Sequence, residues 1–283
     1  MKIVYFTTAM EESAYKQFSS CWTVALNPSN QNFHNKLIRS IGINNSICVI
    51  SIRPFSKRNC KITKLISETS EDGNIKWNYL SIPKNRLKKT KSCTKQALTI
   101  LRGINLKETI FITDTINPTV ITVANKVNSK LNRPILGVCT DSPSNISGTT
   151  RSYTLYLLNQ AKNLDGYITL TNGLNDLFNE NKKPNIVVEG LVENELPNKG
   201  ENIYGKYIFF GGALMQKYGI YNLISAYKQL NNMHIKLIIC GHHCNENLLK
   251  SVCPKSKIIF LDNNTKNIIN TNNNMYSGIY NIQ

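Results

Sequence analysis

Short apolar runs alternate with segments of helical period along most of this chain, and few architectures accommodate that alternation. An apolar run of about four to eight residues suits a strand buried on both faces. A helix between two such runs returns the chain to begin the next strand in the same direction. The runs are "KIVYF" (2–6), "SICVISI" (46–52), "TIFIT" (109–113), "PILGVC" (134–139), "GYITL" (166–170) and "NIVVE" (185–189). Between them Phe33, Leu37, Ile38 and Ile41 fall at helical spacing, as do Val120, Val123, Ala124, Val127 and Leu131, and both stripes are packing surfaces. The pattern predicts an α/β fold with a doubly wound parallel sheet over residues 1–189.

After "VVEG" comes "LVENELPNKGENIYG", which has no periodicity and reads as a linker over 190–205. A second alternation follows, with "KYIFF" (206–210), a helix from about Gly219 to Asn231, "IKLIIC" (235–240), a short helix near 245–251 and "KIIFL" (257–261). Three strands make a partial second domain over 206–261. The Asn-rich tail, 262–283, has too little apolar content to pack and is expected to be disordered.

No apolar run reaches the roughly 18 residues that a membrane span needs. The opening "MKIVYFTTAM" lacks the apolar core and cleavage site of a signal peptide, so a cytoplasmic chain is expected. Cysteines at 21, 48, 60, 93, 139, 240, 244 and 253 form neither a disulfide framework nor paired zinc knuckles. "CGHHC" (240–244) has residue types that suit zinc, but its spacing fits no standard finger and it follows a buried strand. His34, inside an amphipathic helix, and His234, leading into a strand, read as structural. A formal charge of +17 suggests an anionic partner, although the abundance of Asn, Lys and Ile also points to A/T-rich codons. The densest basic stretch, "KNRLKKTKSCTK" (84–95), has no interleaved aromatics for base stacking. It is read as a solvated helix face or a membrane-surface patch, and nucleic acid is not the expected partner.

In open parallel sheets ligands bind at the carboxyl ends of strands, where helix N-termini converge. Three strand ends carry suggestive residues. Gly211 and Gly212 leave a strand just before a helix, where bare backbone amides can approach a diphosphate and Lys217 can neutralise it. The spacing is neither GxGxxG nor a P-loop, so a simple tight turn fits equally well. Asp141, in "GVCTDSPSNISG" (137–148), suits a base or an acceptor for a sugar hydroxyl, and suits an Asx turn or helix cap too. Glu189 ends the last strand of the first half and Gly190 opens the linker, facing the cleft if two domains oppose each other. Motifs of serine hydrolases, zincins and EF-hands are absent from the sequence.

These pieces resemble the glycosyltransferase family 4 proteins of bacteria, in the branch found in polysaccharide and capsule biosynthesis. The likeness rests on "NPSNQNFHNKL" (27–37), "TDTINPTV" (113–120), "GVCTDSPSNISG" (137–148), "DGYITLTNGLNDLFN" (165–179), "VVEGLVE" (187–193) and "GALMQKYGIYNLISAY" (212–227), in that order. The resemblance implies the GT-B fold, with a Rossmann-like acceptor-side domain followed here by a partial Rossmann-like nucleotide-sugar domain. It implies retaining transfer of a sugar from a nucleotide donor to a glycan or lipid-linked acceptor, without a bound metal. Gly211, Gly212, Ala213 and Lys217 then form the donor diphosphate site, and Asp141 is the catalytic-side carboxylate.

The sequence departs from the family at named positions. Ala213 stands at an arginine position, Tyr218 at a lysine position with Lys217 one place earlier, Thr140 and Asp141 at a His-Asp pair, and Glu189 where asparagine is common. The paired glutamates expected to hold the donor sugar and ribose do not follow Lys217. That departure leads to the expectation of a truncated chain, a non-catalytic remnant or scaffold, or a split enzyme completed by a second chain. A basic nucleic-acid-binding protein is the further alternative, resting on charge alone.

Overall fold

A computed structural model describes the chain except residues 24–27, 56–59, 62–63, 84, 86–87, 147, 192–204, 213, 231–233, 242–257 and 262–283, and the side chains of 217, 260 and 261. Most of the expected linker, Ala213, most of "CGHHC", the helix expected near 245–251 and the Asn-rich tail therefore lie outside the described residues. The chain divides into two compact units, Met1–Val192 and Glu193–Gln283.

In the first unit β1 (Lys2–Thr7), α1 (Glu12–Ser20), α2 (Pro28–Gly42) and β2 (Ser46–Ser51) precede a hairpin of β3 (Glu68–Asp72) and β4 (Ile75–Tyr79). Then come α3 (Lys89–Leu101), β5 (Thr109–Asp114), α4 (Pro118–Leu131), β6 (Ile135–Cys139), α5 (Arg151–Ala161), β7 (Gly166–Thr169), α6 (Asn172–Phe178) and β8 (Asn185–Val187). The eight strands lie in the order β3-β4-β2-β1-β5-β6-β7-β8. All neighbours are parallel except β3 and β4.

The central strands are mostly apolar and almost wholly buried because helices cover both faces of the sheet. On β1, Ile3, Val4, Tyr5 and Phe6 are all buried, and Phe111 of β5 meets Phe6 edge to face at 5.6 Å between ring centres. The helical stripe Val120, Val123, Ala124 and Val127 is buried without remainder. The six strands expected from apolar runs are present, with the last one ending at Val187 rather than Glu189. Val188 still donates its amide to Thr169 at 2.8 Å.

The hairpin was not among the expected strands. Its edge strand, "ETSED", has no apolar side chain to bury and stays largely exposed. Gly73, at φ 57°, makes the turn between Asp72 and Ile75, which pair directly. β4 carries the hairpin's burial through Ile75, Trp77 and Tyr79, with the Trp77 and Tyr79 rings stacked 6.4 Å apart.

The second unit contains β9 (Tyr207–Gly211), α7 (Ile220–Gln229), β10 (Lys236–Cys240) and β11 (Ile258–Leu261). The strands are parallel in the order β11-β10-β9. Leu214, Ile220, Ile224, Leu237, Ile239 and Ile258 form its core. The Tyr227 hydroxyl donates to the Ile235 carbonyl at 2.6 Å, tying α7 to the start of β10.

Candidate functional site

The order β2-β1-β5 marks where the first unit reverses its winding. From β1 the chain moves outward to β2, and from β5 it moves the other way through β6, β7 and β8. At such a switch point adjacent connections diverge and leave a crevice at the carboxyl ends of the strands. Three of these strand ends are joined here by one amide. Asn30, near the start of α2, donates through Nδ2 to Asp114 Oδ2 at 3.1 Å and to Thr8 Oγ1 at 3.4 Å. Its Oδ1 accepts from the Thr140 hydroxyl at 3.4 Å. Thr8 follows β1, Asp114 closes β5 and Thr140 follows β6, and Thr8, Asn30 and Thr140 are each only partly buried.

Behind this amide lies a buried polar chain. Asp114 and His34 are fully buried, with Asp114 Oδ2 3.6 Å from His34 Nε2, too long for a hydrogen bond. Asp114 Oδ1 accepts from the Ile116 amide at 2.9 Å. His34 Nδ1 lies 2.7 Å from the Tyr5 hydroxyl. Burial, then the charge of Asp114, hold the Tyr5 pKa well above 10, so the phenol keeps its proton and donates it to Nδ1. The imidazole then carries its hydrogen on Nε2, facing Asp114. Burial lowers the His34 pKa below its ordinary 6.5, and Asp114 opposes this without overcoming it.

The sign of the resulting pH dependence follows. A histidine that takes up its proton less readily when folded leaves the unfolded chain binding more protons near pH 6. Stability is therefore level above about pH 7 and declines as pH falls through 6.5, by up to about 1.4 kcal/mol per pH unit. Urea unfolding followed at several pH values checks this, and His34→Gln is expected to flatten that limb.

Asp141 stands exposed just beyond Thr140, and its Oδ1 accepts from the Ser142 amide at 2.8 Å. That bond reaches only the next residue, one short of an Asx turn, and a short 3-10 turn, Pro143–Asn145, follows. Glu189 and Gly190 are exposed past β8, and a Cβ added at Gly190 meets nothing within 4 Å. Cys139, between these positions and the core, is no nucleophile: burial pushes its thiol up to about 12. Among the described residues, no group of three or more His, Cys, Asp or Glu is arranged to hold a metal ion.

In the second unit, β9 ends at Gly211, and Gly212 donates its amide to the Cys240 carbonyl at 3.0 Å. Gly241 is packed directly on Gly212, so that a Cβ at 241 would fall on the Gly212 carbonyl oxygen. Gln216–Tyr218, with Lys217 at its centre, forms a 3-10 turn that leads to Gly219 at φ 76°. Only glycine adopts that left-handed conformation readily. Gly219 is also the N-cap of α7, and it has no side chain with which to cap the helix. α3 in the first unit likewise opens without a side-chain cap, whereas α4, α5 and α6 are capped. Asn117 accepts from Thr119 and Val120 at 3.0 and 3.2 Å, Thr150 from Tyr153 at 3.2 Å and Thr171 from Leu174 at 3.1 Å. The first amides of α7 have no such cap.

Sequence reasoning placed Asp141, Glu189 and the Gly211–Lys217 loop at strand ends; Gly211 closes β9, while Asp141 stands two residues past β6 and Glu189 two past β8. It missed Asn30, Asp114 and the His34 contact. A polar residue closing a fully apolar strand, as Asp114 closes "TIFIT", was the signal available.

Solved structures share this architecture. The alpha,alpha-trehalose 6-phosphate synthase of Burkholderia multivorans aligns over 93% of this chain and 73% of its own, with a TM-score of 0.54 and 8% identity. HepE of Anabaena, solved in complex with UDP, aligns over 93% and 69%, with a TM-score of 0.55 and 11% identity. The catalytic domain of starch synthase IV of Arabidopsis thaliana, bound to ADP and acarbose, aligns over 92% and 74%, with a TM-score of 0.55 and 9% identity. The chain has the fold of the GT-B glycosyltransferases. At these identities the likeness is one of fold. No protein-family model matches the chain, and no curated protein matches it.

Proposed function

We propose that this chain acts in glycosyl transfer from a nucleotide sugar, with the β9–α7 loop gripping the donor diphosphate. One observation carries the reading: α7 opens without a side-chain cap directly after Gly219, a left-handed glycine with open space about it. A helix N-terminus of this kind attracts an anion through its free N–H groups and its positive dipole end. In sugar transfer the departing diphosphate gains negative charge, so fixed amides and the Lys217 cation stabilise the transition state more than the ground state. The GT-B fold supports the reading, since structures of that fold have been solved with UDP and ADP.

In the first unit the Thr8–Asn30–Thr140 cluster offers hydroxyls and an amide to a polyhydroxylated acceptor, glycan or lipid-linked. Asp141 is the carboxylate that would accept a hydrogen bond from its reacting hydroxyl. Retention of configuration, catalysis without a resident metal and membership of glycosyltransferase family 4 in its polysaccharide branch belong to the same proposal. They rest on the motifs described above.

Titration calorimetry of the full chain with UDP, ADP, GDP and uridine tests the donor site. A nucleoside diphosphate is expected to bind and uridine to bind far more weakly. Lys217→Ala is expected to weaken the diphosphate about tenfold, the value of one charge-assisted hydrogen bond. Absence of binding by all three diphosphates at millimolar concentration overturns the reading.

A further inference from the structure

The outward side of three neighbouring helices carries exposed cations. α3 packs on α4 and α4 on α5. None of the three contains an Asp or Glu. Each exposes a pair of residues four apart: Lys91 with Lys95, Lys126 with Lys130, and Arg151 with Leu155. Like charges four apart on a helix repel each other and weaken it. Among the described residues no ion pair relieves any of these five cations. Lys162, just past the end of α5, is different, since it meets Glu180 at 2.7 Å.

Two apolar groups accompany the charges. Leu155 is 56% exposed and Tyr156 42% exposed. Tyr156 is fixed in place, its hydroxyl 2.6 Å from Thr122 Oγ1 on α4. Fixing it holds an aromatic ring at the surface beside an isolated leucine, which water does not favour.

We propose that the α3–α4–α5 face docks on an anionic lipid surface. The cations meet headgroup phosphates while Leu155 and the Tyr156 ring enter the boundary between headgroups and chains, as on an interfacial amphipathic surface. Nucleic acid supplies phosphates too, but its backbone offers no apolar layer for an isolated leucine. No helix among the described residues is long and apolar enough to cross a membrane, so this contact is with one leaflet. The inference does not depend on nucleotide binding in the second unit.

Co-sedimentation of the full chain with phosphatidylcholine vesicles, with and without phosphatidylglycerol, tests it, alongside a fluorescent duplex oligonucleotide. Retention is expected only on the phosphatidylglycerol vesicles. Lys91→Gln, Lys95→Gln, Lys126→Gln and Lys130→Gln are each expected to lower it about fivefold. Leu155→Ser is expected to lower it further at raised salt, where charge is screened. Lys2→Gln, a cation exposed on β1, is expected to leave it unchanged. All these positions are exposed, and an unchanged melting temperature verifies that each variant folds. Full retention of a variant that combines the four lysine substitutions overturns the proposal. So does tighter binding to the duplex that Leu155→Ser leaves untouched.

Discussion

Asp114→Ala is expected to lower the stability of the first unit by about 2–5 kcal/mol, since each donor left without its acceptor costs about 1–3 kcal/mol. The loss is concentrated because one carboxyl group satisfies several donors. Without it the Ile116 amide and one hydrogen of Asn30 lose their acceptors, and His34 Nε2 faces a void. Asp114→Asn is expected to cost less, about 1–3 kcal/mol. Its oxygen can still accept from Ile116, but its NH2 group then confronts the Asn30 NH2 group, donor against donor. Urea midpoints of the two variants separate these outcomes. Equal and small losses would show that the switch-point network contributes little to the fold. Asn30 should reorient in both variants, releasing Thr8 and Thr140, so nuclear magnetic resonance of the Asn30 side-chain amide gives a local readout.

Gly241→Val should be the most damaging single change in the second unit. The added Cβ meets the Gly212 carbonyl, a backbone atom with no rotamer to escape into, and lies 3.1 Å from Leu214 Cδ2. Relief requires β9 and β10 to separate where Gly211 pairs with Cys240. A cost of about 3 kcal/mol or more is expected from such overpacking. Calorimetry should then show diphosphate affinity falling by at least as much as in Lys217→Ala, because the whole glycine turn moves. Hydrogen exchange resolves the effect by position. Faster exchange confined to β9, β10 and α7 is the expected pattern, and unchanged exchange at the Gly212 amide would contradict it.

How much of this was legible in the residues depends on how locally each feature is encoded. β1, β2 and β5 to β8 announce themselves because both faces of each strand are buried, which leaves an unbroken apolar run. β3 has no such mark. It is polar on both faces, and only the Asp72-Gly73-Asn74 turn beside "IKWNY" betrays the hairpin. The loop after β9 was legible as glycines at a strand end, yet its lack of a side-chain cap became visible only against Asn117, Thr150 and Thr171. The switch-point cluster was least legible. Asn30 and Asp114 stand 84 residues apart, and their meaning comes from a meeting that strand order alone creates. His34 reads as an amphipathic-helix residue and is one, but its partner lies on another element.

The two borders of the eight-stranded sheet decide how the first unit can meet other molecules. On one side β3 presents Glu68, Glu71 and Asp72 on a largely exposed strand. On the other, β8 offers only three residues. A charged border and a stub are both poor templates for an incoming strand, so growth of the sheet by backbone pairing is discouraged at each end. Self-association through strand exchange is therefore disfavoured in a chain whose central strands are rich in Val, Ile, Phe and Leu. A partner of this unit must be recognised by side chains on helices and loops.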